Sequence, residues 1–448
     1  MNKRSFLKSS GALLTGSLLS KVTKGEGQKE ARTNWAGNYR YSTDHLEKPK
    51  TVEELQQVVK KLDKLRALGA RHSFNSIADS KSAQVSLENL ESMSLDKKSR
   101  TVTVGAGVRY GKLAPYLDEN GFAVHNLASL PHVTVIGACA TATHGSGSKN
   151  GNLSTAVSGL ELVTAKGDVV HLSRAHDGDR FHGAVVGLGA VGVVSKVTLD
   201  VIPSFEMTQV VYENLPFSQL EKHLDEIFAS GYSVSLFTDW QKHRATQVWI
   251  KSRIENGKKP EMKPEFFGAK MATHKLHPLA GHSAENCTEQ MGIPGPWYER
   301  LPHFRMNFTP SSGAELQSEY FVPREKAYEA ILAVEELRDK ITPHLFITEF
   351  RTIAADDLWL SPCYQRAAMT IHFTWKPEWT AVKALLPQIE EKLKPFEPRP
   401  HWAKLFSVPP AQIQARYTKL GDFKDLLKTY DPAGKFRNGF IDTNLYGS

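Results

Sequence analysis

The sequence predicts an α+β protein with two domains, and three observations support this. The chain has 448 residues, of which 40% are hydrophobic and 23% are charged, which is enough for two separate hydrophobic cores. Helix-like and strand-like segments occur in both halves of the chain. Most tryptophans and several long strand-like segments follow residue 206. We therefore expect one α+β domain at 34–205, a second over a sheet at 206–425, and a C-terminal segment at 426–448.

The first domain opens with a helix that leads into a strand. The segment TVEELQQVVKKL places its apolar side chains on one helical face. Thr51, with Glu54 three residues later, predicts a capping box at its start. The strand KLRALG then leads to the loop LGARHSFN. His72 in this loop could be a metal ligand, a base, an attachment point or an ordinary loop histidine, and the local pattern leaves these interpretations open.

A stretch rich in small residues, ASLPHVTVIGACATATHGSGSKNG, occupies 128–151. Small residues let the backbone approach a flat or anionic group closely. The alternative is a flexible surface linker, but the stretch holds apolar residues and almost no charge, unlike a solvated linker. It follows a predicted strand, TVTVGAGV, and a predicted helix, YGKLAPYLDENG. Beyond it we expect a hairpin with its turn at 166–168, and then a glycine-rich helix, GAVVGLGAVG, that runs into a strand.

Two strand-like segments of the second domain carry charge where a buried strand does not. In LFITEFRTI, strict alternation puts Glu349 and Arg351 on the same face. In MTIHFTWK, His372 and Thr374 share a face. Such a strand pair is suited to line a pocket for a polyhydroxylated ligand. It is equally suited to carry solvent-facing salt bridges on an antiparallel sheet, and patterning alone leaves both interpretations open.

The N-terminal segment MNKRSFLKSSGALLTGSLLSK has a basic start and then a weakly apolar run, which is the arrangement of an export signal. The run KRSFLK resembles a twin-arginine signal in which Lys3 replaces the first arginine. We expect the signal at 1–25 and a periplasmic or extracellular protein; the alternative is a disordered tail on a cytoplasmic protein. Residues 1–25 hold five basic residues and no acidic residue, so their removal lowers the formal net charge from +8 to +3.

Composition and spacing exclude several classes of function. The mature chain is mildly basic and has no basic cluster interleaved with aromatic residues, so we expect no nucleic-acid binding. It has no apolar run long enough to span a membrane. Cys139, Cys287 and Cys363 fit neither a disulfide framework nor a CxxC site, and we expect them to be packing residues.

Other known motifs are also missing. The 17 histidines show no HExxH or HxxxH spacing, so we predict no metal site. Serine-hydrolase elbows and Walker motifs are absent. The run GLGAVG departs from the GxGxxG fingerprint, and no acidic residue follows in the usual place, so a Rossmann dinucleotide site is rejected.

A set of motifs nevertheless occurs in the order of a known family: NWAGN, ALGARHSFN, NLASLPHVTVIGACATATHGSG, YSVSLFTDW, TEFRT, HWAK and DPAGKFRNGF. From about residue 34 to the end, the chain resembles the alditol and xylitol oxidases, close to the aldonolactone oxidases, of the vanillyl-alcohol-oxidase-type FAD-binding flavoproteins. The resemblance implies an FAD-binding α+β domain, to which the C-terminal segment returns. It also implies a cap domain over the substrate pocket, with an antiparallel sheet flanked by helices.

The resemblance further implies which residues bind FAD. His72 would carry the flavin covalently on its 8α carbon. Arg71 departs from the family, which often has a small residue before the attachment histidine; it could face the pyrophosphate, assist attachment or point to solvent. The remaining expected contacts are Leu68, Gly69, Ala70, Arg71, Ser73, Phe74, Ser129, Thr134, Gly137, Ala138, Thr141, Thr143, His144, Gly145 and Val194.

The implied reaction is the oxidation of a primary alcohol of a polyol such as xylitol or sorbitol, by hydride transfer to flavin N5. Molecular oxygen would reoxidise the flavin and yield hydrogen peroxide. Lys404 or Arg351 would stabilise the anionic reduced flavin, and His372 is a candidate for the proton acceptor. The implied substrate-binding residues are Ser129, Glu349, Arg351, Thr374 and Lys404.

Other functions stay open at this point. An aldonolactone oxidase, or a dehydrogenase that uses an acceptor other than oxygen, shares the same motifs. A periplasmic carbohydrate-binding protein would explain the polar strand faces and the tryptophans but not the small-residue loops. The oligomeric state is undetermined, and a monomer is compatible with the sequence.

Overall fold

The strands that precede residue 204 form three sheets. The computed structural model describes residues 32–308 and 315–447, so the predicted export signal lies outside the described residues. The strands are β1 Leu46–Glu47, β2 Arg66–Leu68, β3 Gln84–Ser86, β4 Met93–Asp96, β5 Thr101–Gly105, β6 Phe122–Ala123, β7 Val157–Val163, β8 Val169–Ser173, β9 Val193–Asp200 and β10 Ile202–Pro203. The helices among them are α1 Val52–Lys61, α2 Tyr110–Glu119, α3 Val135–Ala140 and α4 Arg174–Val185.

The largest of these sheets has five antiparallel strands in the order β4-β5-β9-β7-β8, while β1-β3-β2 is parallel and β6 pairs with β10. The predicted hairpin is confirmed as β7 and β8, which pair antiparallel. Gly167 in its turn has φ +83°, a left-handed conformation that glycine adopts without strain.

Helix α1 begins as predicted, with one difference. Thr51 Oγ1 accepts a hydrogen bond from Glu54 N at 3.2 Å, so Thr51 is the N-cap. Glu54 completes the cap by accepting from Lys50 N at 2.7 Å, one residue earlier than a capping box requires. Strand β2 follows and ends at the loop that holds His72.

The ten strands after residue 205 form one sheet, in which every pairing is antiparallel. They are β11 Glu206–Pro216, β12 Ser233–Thr238, β13 Arg244–Arg253, β14 Glu265–Phe266, β15 Ala269–Met271, β16 Gly295–Pro296, β17 Leu316–Pro323, β18 Leu345–Ile353, β19 Ala368–Trp375 and β20 Arg399–Pro400. The helices are α5 Phe217–Ala229, α6 Ala327–Glu335, α7 Arg338–Ile341, α8 Trp379–Leu393, α9 Pro410–Ala415, α10 Leu420–Tyr430 and α11 Gly439–Ile441.

The second half is therefore an antiparallel sheet flanked by helices, as predicted. Helices α5 and α6 contact strands of this sheet, and α8 packs on α6. The chain from Arg32 onward packs as one compact unit, so the domain boundaries proposed from the sequence stay a prediction. Cys139, Cys287 and Cys363 are buried free thiols, as expected for packing residues.

Two segments differ from the helices and loops that the sequence predicts. The glycine-rich part of GAVVGLGAVG is a turn and not a helix, because α4 ends at Val185 and both Leu188 and Gly189 have positive φ. The turn residues and aromatics of YDPAGKFRNGFIDTNLYG predict a tail that is too polar for a core helix, but α11 continues into a π-helix, Asp442–Tyr446, with Ile441 and Leu445 fully buried. Because polar residues are interspersed in the C-terminal segment, its sequence does not reveal the apolar helical face that the structure buries.

Candidate active site

One cavity collects most of the residues that the sequence singled out. Its empty volume is about 1660 Å³ including the part open to solvent. The loop after β2, helix α3, the turn after α4 and four polar residues of the ten-stranded sheet all line it. The predicted residues in its wall are residues 68–74, Ser129, Thr134, Gly137, Ala138, Thr141, Thr143, His144, Val194, Arg351, His372 and Lys404.

Three predicted residues lie outside the cavity wall. Gly145 packs against Asn126, whose Oδ1 would lie 2.2 Å from a Cβ placed on this glycine. Glu349 is 4% exposed and lies behind the wall, against Arg351. Thr374 is half-buried on β19 and is paired with Gln317 and Ile347. The structure therefore brings most of the predicted site residues into one cavity wall, while these three lie outside it.

The loop after β2 is shaped to receive an anionic group. Arg71 has φ +64°, and no acceptor among the described residues binds the backbone N–H groups of residues 70–73. Successive free N–H groups around a left-handed residue form an anion-binding nest. The Arg71 side chain itself is exposed and reaches only the carbonyl of Thr33, at 3.4 Å. We conclude that the backbone of Arg71, more than its charge, shapes this loop.

Two glycines in the cavity wall pack against one hydroxyl. A Cβ on Gly69 would lie 2.9 Å from Thr134 Oγ1, and a Cβ on Gly137 would lie 2.6 Å from it. Real Cβ atoms do not approach this closely, so both positions require glycine or a shift of Thr134. The loop after β2 and helix α3 are thereby brought close together along the wall.

Arg66 places an unpaired positive charge in the same wall, and sequence reasoning missed it. It is 2% exposed, and its Nη atoms donate to the carbonyls of Ile77, Leu188, Gly189 and Phe436 at 2.5–2.9 Å. No carboxylate among the described residues pairs with it, and its Nε has no partner. Burial lowers the pKa of this guanidinium to about 10, so it stays charged at neutral pH. A buried cation without an acid favours an anionic ligand.

His72 lies in the cavity wall within a group of aromatic rings. Its ring centroid is 4.2 Å from that of His132 and 4.6 Å from that of Trp35. Burial is the main reason why the pKa of His72 is lowered to about 3 and that of His132 to about 4. Both imidazoles are therefore neutral at pH 7, and a neutral imidazole has a lone pair available for bond formation.

This burial predicts an acid-sensitive stability. The folded-state pKa of His132 lies below its ordinary value of 6.5, so below that pH the unfolded chain takes up a proton that the folded chain does not. The melting temperature should therefore fall as pH is lowered from about 6.5 toward 4. His132→Gln should make the fall shallower, whereas His171→Gln, at a residue with a 73% exposed side chain, should leave it unchanged. If the melting temperature fell equally with pH in the wild type, His132→Gln and His171→Gln, this prediction would be wrong.

Three ionisable residues stand side by side across three strands of the ten-stranded sheet. His372 on β19 pairs directly with Glu319 on β17 and with Glu349 on β18. All three are buried, with 8%, 0% and 4% of their surface exposed. This burial rejects the alternative interpretation of these strands as carriers of solvent-facing salt bridges.

Glu319 is the centre of the charged cluster. Its Oε2 lies 2.6 Å from Lys404 Nζ, and its Oε1 lies 3.1 Å from His144 Nε2 and 3.3 Å from Arg351 Nη2. Burial alone would raise the pKa of Glu319, but Lys404 and His144 outweigh this and hold the pKa well below its usual range. The carboxylate is therefore ionised and holds two cations in the cavity wall.

His372 differs from its neighbours because neither ring nitrogen has a hydrogen-bond partner among the described residues. Burial is the main cause that lowers its pKa to about 4, so the ring is neutral. Its Nδ1 lies 3.7 Å from Glu349 Oε2, which is too far for a hydrogen bond. An unpartnered neutral imidazole in a cavity wall is suited to accept a proton from a bound hydroxyl.

Three further wall residues were missed by sequence reasoning: Glu319, Gln317 and His401. The strand segment QSEYFVP did offer a signal, since alternation puts Gln317 and Glu319 on the same face of a strand that continues into the apolar run YFVP. His401 lay beside Lys404 in HWAK, but a histidine near a tryptophan is usually a packing residue. Among residues 32–308 and 315–447, no cluster of side chains has a metal-binding arrangement. No helix in these ranges is long and apolar enough to cross a membrane.

Comparison with known proteins places these features in a family. A model described as "FAD binding domain" matches residues 43–173, and a model described as "D-arabinono-1,4-lactone oxidase" matches residues 312–444. An alditol oxidase from Streptomyces sp. (strain IKD472 / FERM P-14339) is 47% identical over 422 residues, which is 93% of this chain and 99% of that protein.

Solved structures support the same fold. Cholesterol oxidase from B. sterolicum superposes with a TM-score of 0.76 at 14% identity, over 93% of this chain and 96% of that one. Glucooligosaccharide oxidase from Acremonium strictum, described with a 6-S-cysteinyl, 8α-N1-histidyl FAD, superposes with a TM-score of 0.69 at 15% identity, over 91% and 93%. The fold, the matching models and the 47% identical relative together show that the chain belongs to the alditol oxidase family of FAD-dependent oxidoreductases with the vanillyl-alcohol-oxidase-type fold.

Proposed function

We propose that this protein oxidises a primary alcohol group of a polyol of the xylitol or sorbitol type, with FAD as hydride acceptor and oxygen as final acceptor. The observation that carries the proposal is one cavity with the His72 loop in its wall and with Lys404, Arg351 and His372 in the same wall. Paired cations and an unpartnered imidazole are suited to hold hydroxyl groups and to accept a proton. The 47% identical relative, named alditol oxidase, supports this substrate class.

The residues of the cavity fit an FAD. Its diphosphate would meet the free N–H groups of the Arg71 loop and the unpaired charge of Arg66. Its ring system would be received between small and apolar residues such as Ala138, Ile136 and Val194. Bound FAD supplies a two-electron acceptor for the carbon-bound hydrogen of the alcohol.

We further propose that His72 bears the flavin covalently, as implied by the motif around it. The neutral, half-buried ring in the cavity wall supports the proposal. The purified protein should be yellow, and acid precipitation should leave the flavin on the chain. His72→Ala should release all flavin into the supernatant, while His132→Ala serves as a control for ring packing. Flavin that stays on the His72→Ala chain would refute the attachment site.

The chemical roles follow from the contacts. Lys404 and Arg351 are held in place by Glu319, so they can donate to substrate oxygens without losing their counter-ion. They can also stabilise negative charge that develops near the reacting atoms. His372 would accept the hydroxyl proton, since neither of its nitrogens has a hydrogen-bond partner in the part of the chain that the structure describes. Ser129 lies in the same wall and can bind a further hydroxyl.

A substrate panel tests the proposal against the closest alternative. The match of residues 312–444 to a D-arabinono-1,4-lactone oxidase model favours a sugar lactone as the second candidate. We expect xylitol and sorbitol to reduce the bound flavin and to yield one hydrogen peroxide per turnover in air. Faster reduction by gulono- or galactono-lactone would favour the second candidate. Turnover with a dye acceptor but not with oxygen would identify a dehydrogenase.

We also propose export by a twin-arginine-like signal at 1–25. A flavoprotein that binds its cofactor in the cytoplasm is folded before transport, and this route carries folded proteins. The basic start and the apolar run of the segment support the proposal. Replacing Arg4 by Lys should retain the protein in the cytoplasm, and fractionation with immunodetection measures this. Unchanged export of that variant would contradict the proposed route.

A further inference from the structure

A buried chain of hydrogen bonds leads from the interior of the ten-stranded sheet to the charged cluster. Lys251 on β13 is 1% exposed, and its Nζ donates to the carbonyls of Leu301 and Pro302 at 2.7 and 2.8 Å. The same Nζ lies 3.3 Å from His303 Nδ1. His303 Nε2 in turn lies 2.8 Å from Glu349 Oε1.

The contacts determine where the protons are. Burial alone would raise the pKa of Glu349, but Arg351 and His303 outweigh it and hold the pKa well below its usual range. The carboxylate therefore only accepts, and His303 Nε2 carries the hydrogen. Since burial lowers the pKa of His303, the ring is neutral and its Nδ1 is an acceptor. Lys251 consequently has three acceptors, which match the three N–H groups of an ammonium, while burial lowers the pKa of this amine to about 7.

The orientation of His303 is held by aromatic rings as well as by hydrogen bonds. Its ring meets Phe237 and Trp249 edge to face, at centroid distances of 5.4 and 5.3 Å. Such contacts fix the plane of a ring. His303 is thus held in one orientation and one tautomer, with its N–H directed at Glu349.

Glu349 connects this chain to the cavity wall. It lies outside the wall, but Arg351 Nε is 3.5 Å from its Oε1 and His372 Nδ1 is 3.7 Å from its Oε2. The charged and titratable groups that face Glu349 are therefore His303, Arg351 and His372, with Lys251 one contact further away. At 3.7 Å Glu349 does not hydrogen-bond to His372, but its negative charge favours the tautomer with hydrogen on the near nitrogen, Nδ1. The far nitrogen of His372 is then the acceptor for a substrate proton.

We propose that Lys251 and His303 are positioning residues that act on alcohol oxidation through Glu349, by keeping this carboxylate ionised and directed at His372 and Arg351. This inference rests on the proposed function, because the proton accepted by His372 is that of the alcohol. Neither residue touches the cavity, so each acts only through the next member of the chain.

The test compares kcat/KM for xylitol as a function of pH in the flavin-loaded protein. His303→Leu removes the N–H donor, so kcat/KM should fall about 10- to 100-fold. The acidic limb of the profile should also move to higher pH, because Glu349 then protonates more easily. His303→Gln restores a donor at about the same position and should recover most of the activity and the original limb. His243→Leu removes another histidine paired with a carboxylate, Glu335 at 2.7 Å, and should change neither quantity.

Lys251→Met keeps the test decisive if a His303 variant does not fold. It should lower kcat/KM less than His303→Leu, and in the His303→Leu background it should cause no further shift of the acidic limb. An acidic limb that is unchanged in Lys251→Met, or in His303→Leu where that variant folds, would overturn the proposal. Additive effects of the two substitutions on the acidic limb would also overturn it.

A spectroscopic measurement separates this inference from the proposed function. Nitrogen NMR of histidine-labelled protein should show His303 with hydrogen on Nε2, and that signal should be absent in His303→Gln. If the wild-type protein does not oxidise polyols, the proposed function fails, while this signal still tests the tautomer. If the protein oxidises polyols and His303 carries its hydrogen on Nδ1, only the inference fails.

Discussion

Glu319→Gln should lower kcat/KM for the polyol by at least about 100-fold. Glutamine has almost the same shape but no charge, so Lys404 and Arg351 would stay buried without their shared counter-ion. Breaking a buried ion pair by removing one partner costs about 3–5 kcal/mol, and 1.4 kcal/mol corresponds to a factor of ten. The melting temperature should fall as well.

The pH profile distinguishes this effect from simple loss of packing. Burial lowers the pKa of Lys404, and Glu319 opposes that shift. Without Glu319, Lys404 should lose its proton at lower pH, so the basic limb of kcat/KM should move to lower pH. Steady-state kinetics over a pH series with xylitol measures this.

Glu390→Gln is the matched control for Glu319. Its carboxylate accepts from Tyr320 Oη at 2.8 Å and from Ser407 N at 2.7 Å, and among the described residues it forms no ion pair. The control should keep the wild-type basic limb and most of the activity. An equal loss of activity in both variants, with no movement of the limb for Glu319→Gln, would mean that the charge of Glu319 has no role.

Arg66→Met should deprive the protein of FAD and destabilise it. The substitution removes the cation from the cavity wall and takes a donor away from four backbone carbonyls, of which only that of Ile77 keeps another, from Asn438 at 3.2 Å, among the described residues. Unsatisfied buried polar groups cost about 1–3 kcal/mol each when water cannot reach them. We expect flavin content, measured as absorbance at the flavin band relative to protein, to fall at least about tenfold.

Arg399→Met separates stability from cofactor binding. Arg399 is also buried and also donates to backbone carbonyls, those of Pro362, Tyr364 and Arg416, but it is not among the residues of the cavity wall. This control should lower the melting temperature without lowering flavin content. Arg66→Lys should retain more flavin than Arg66→Met because it keeps the charge. Equal flavin content in Arg66→Met and Arg399→Met would contradict the assigned role of Arg66.

Local patterns identified the parts of the site that depend on sequence neighbours. Glu349 and Arg351 were placed on one strand face by alternation alone, and they lie 3.5 Å apart in the structure. The small-residue stretch around Gly137 was correctly interpreted as a wall and not as a linker. The family resemblance added His72, Ser129 and Lys404, which no periodicity distinguishes from ordinary loop residues.

Local sequence patterns could not predict the contacts between segments that are distant in the sequence. Glu319 is 85 residues from Lys404 and 175 residues from His144, so no local pattern indicates that the three meet. Arg66 looked like one basic residue in a short strand, and its burial depends on carbonyls more than 100 residues away. The C-terminal segment also looked too polar for a helix, although Asn438 uses its polarity to cap α11 and to bind Asp79 O.

The sequence by itself determined the α+β class, the order of strands and loops, the absence of known metal spacings, and a wall of small residues followed by charged strands. These properties follow from the spacing of apolar and polar side chains along the chain and from the backbone freedom of single residues. Both are local effects that extend over only a few neighbouring residues. Only the tertiary structure decided that the charged strand faces are buried, that Glu319 binds the cations, and that Lys251 and His303 support Glu349 from behind. Burial and charge pairing are properties of neighbours in space, and strand pairing sets those neighbours across the whole chain.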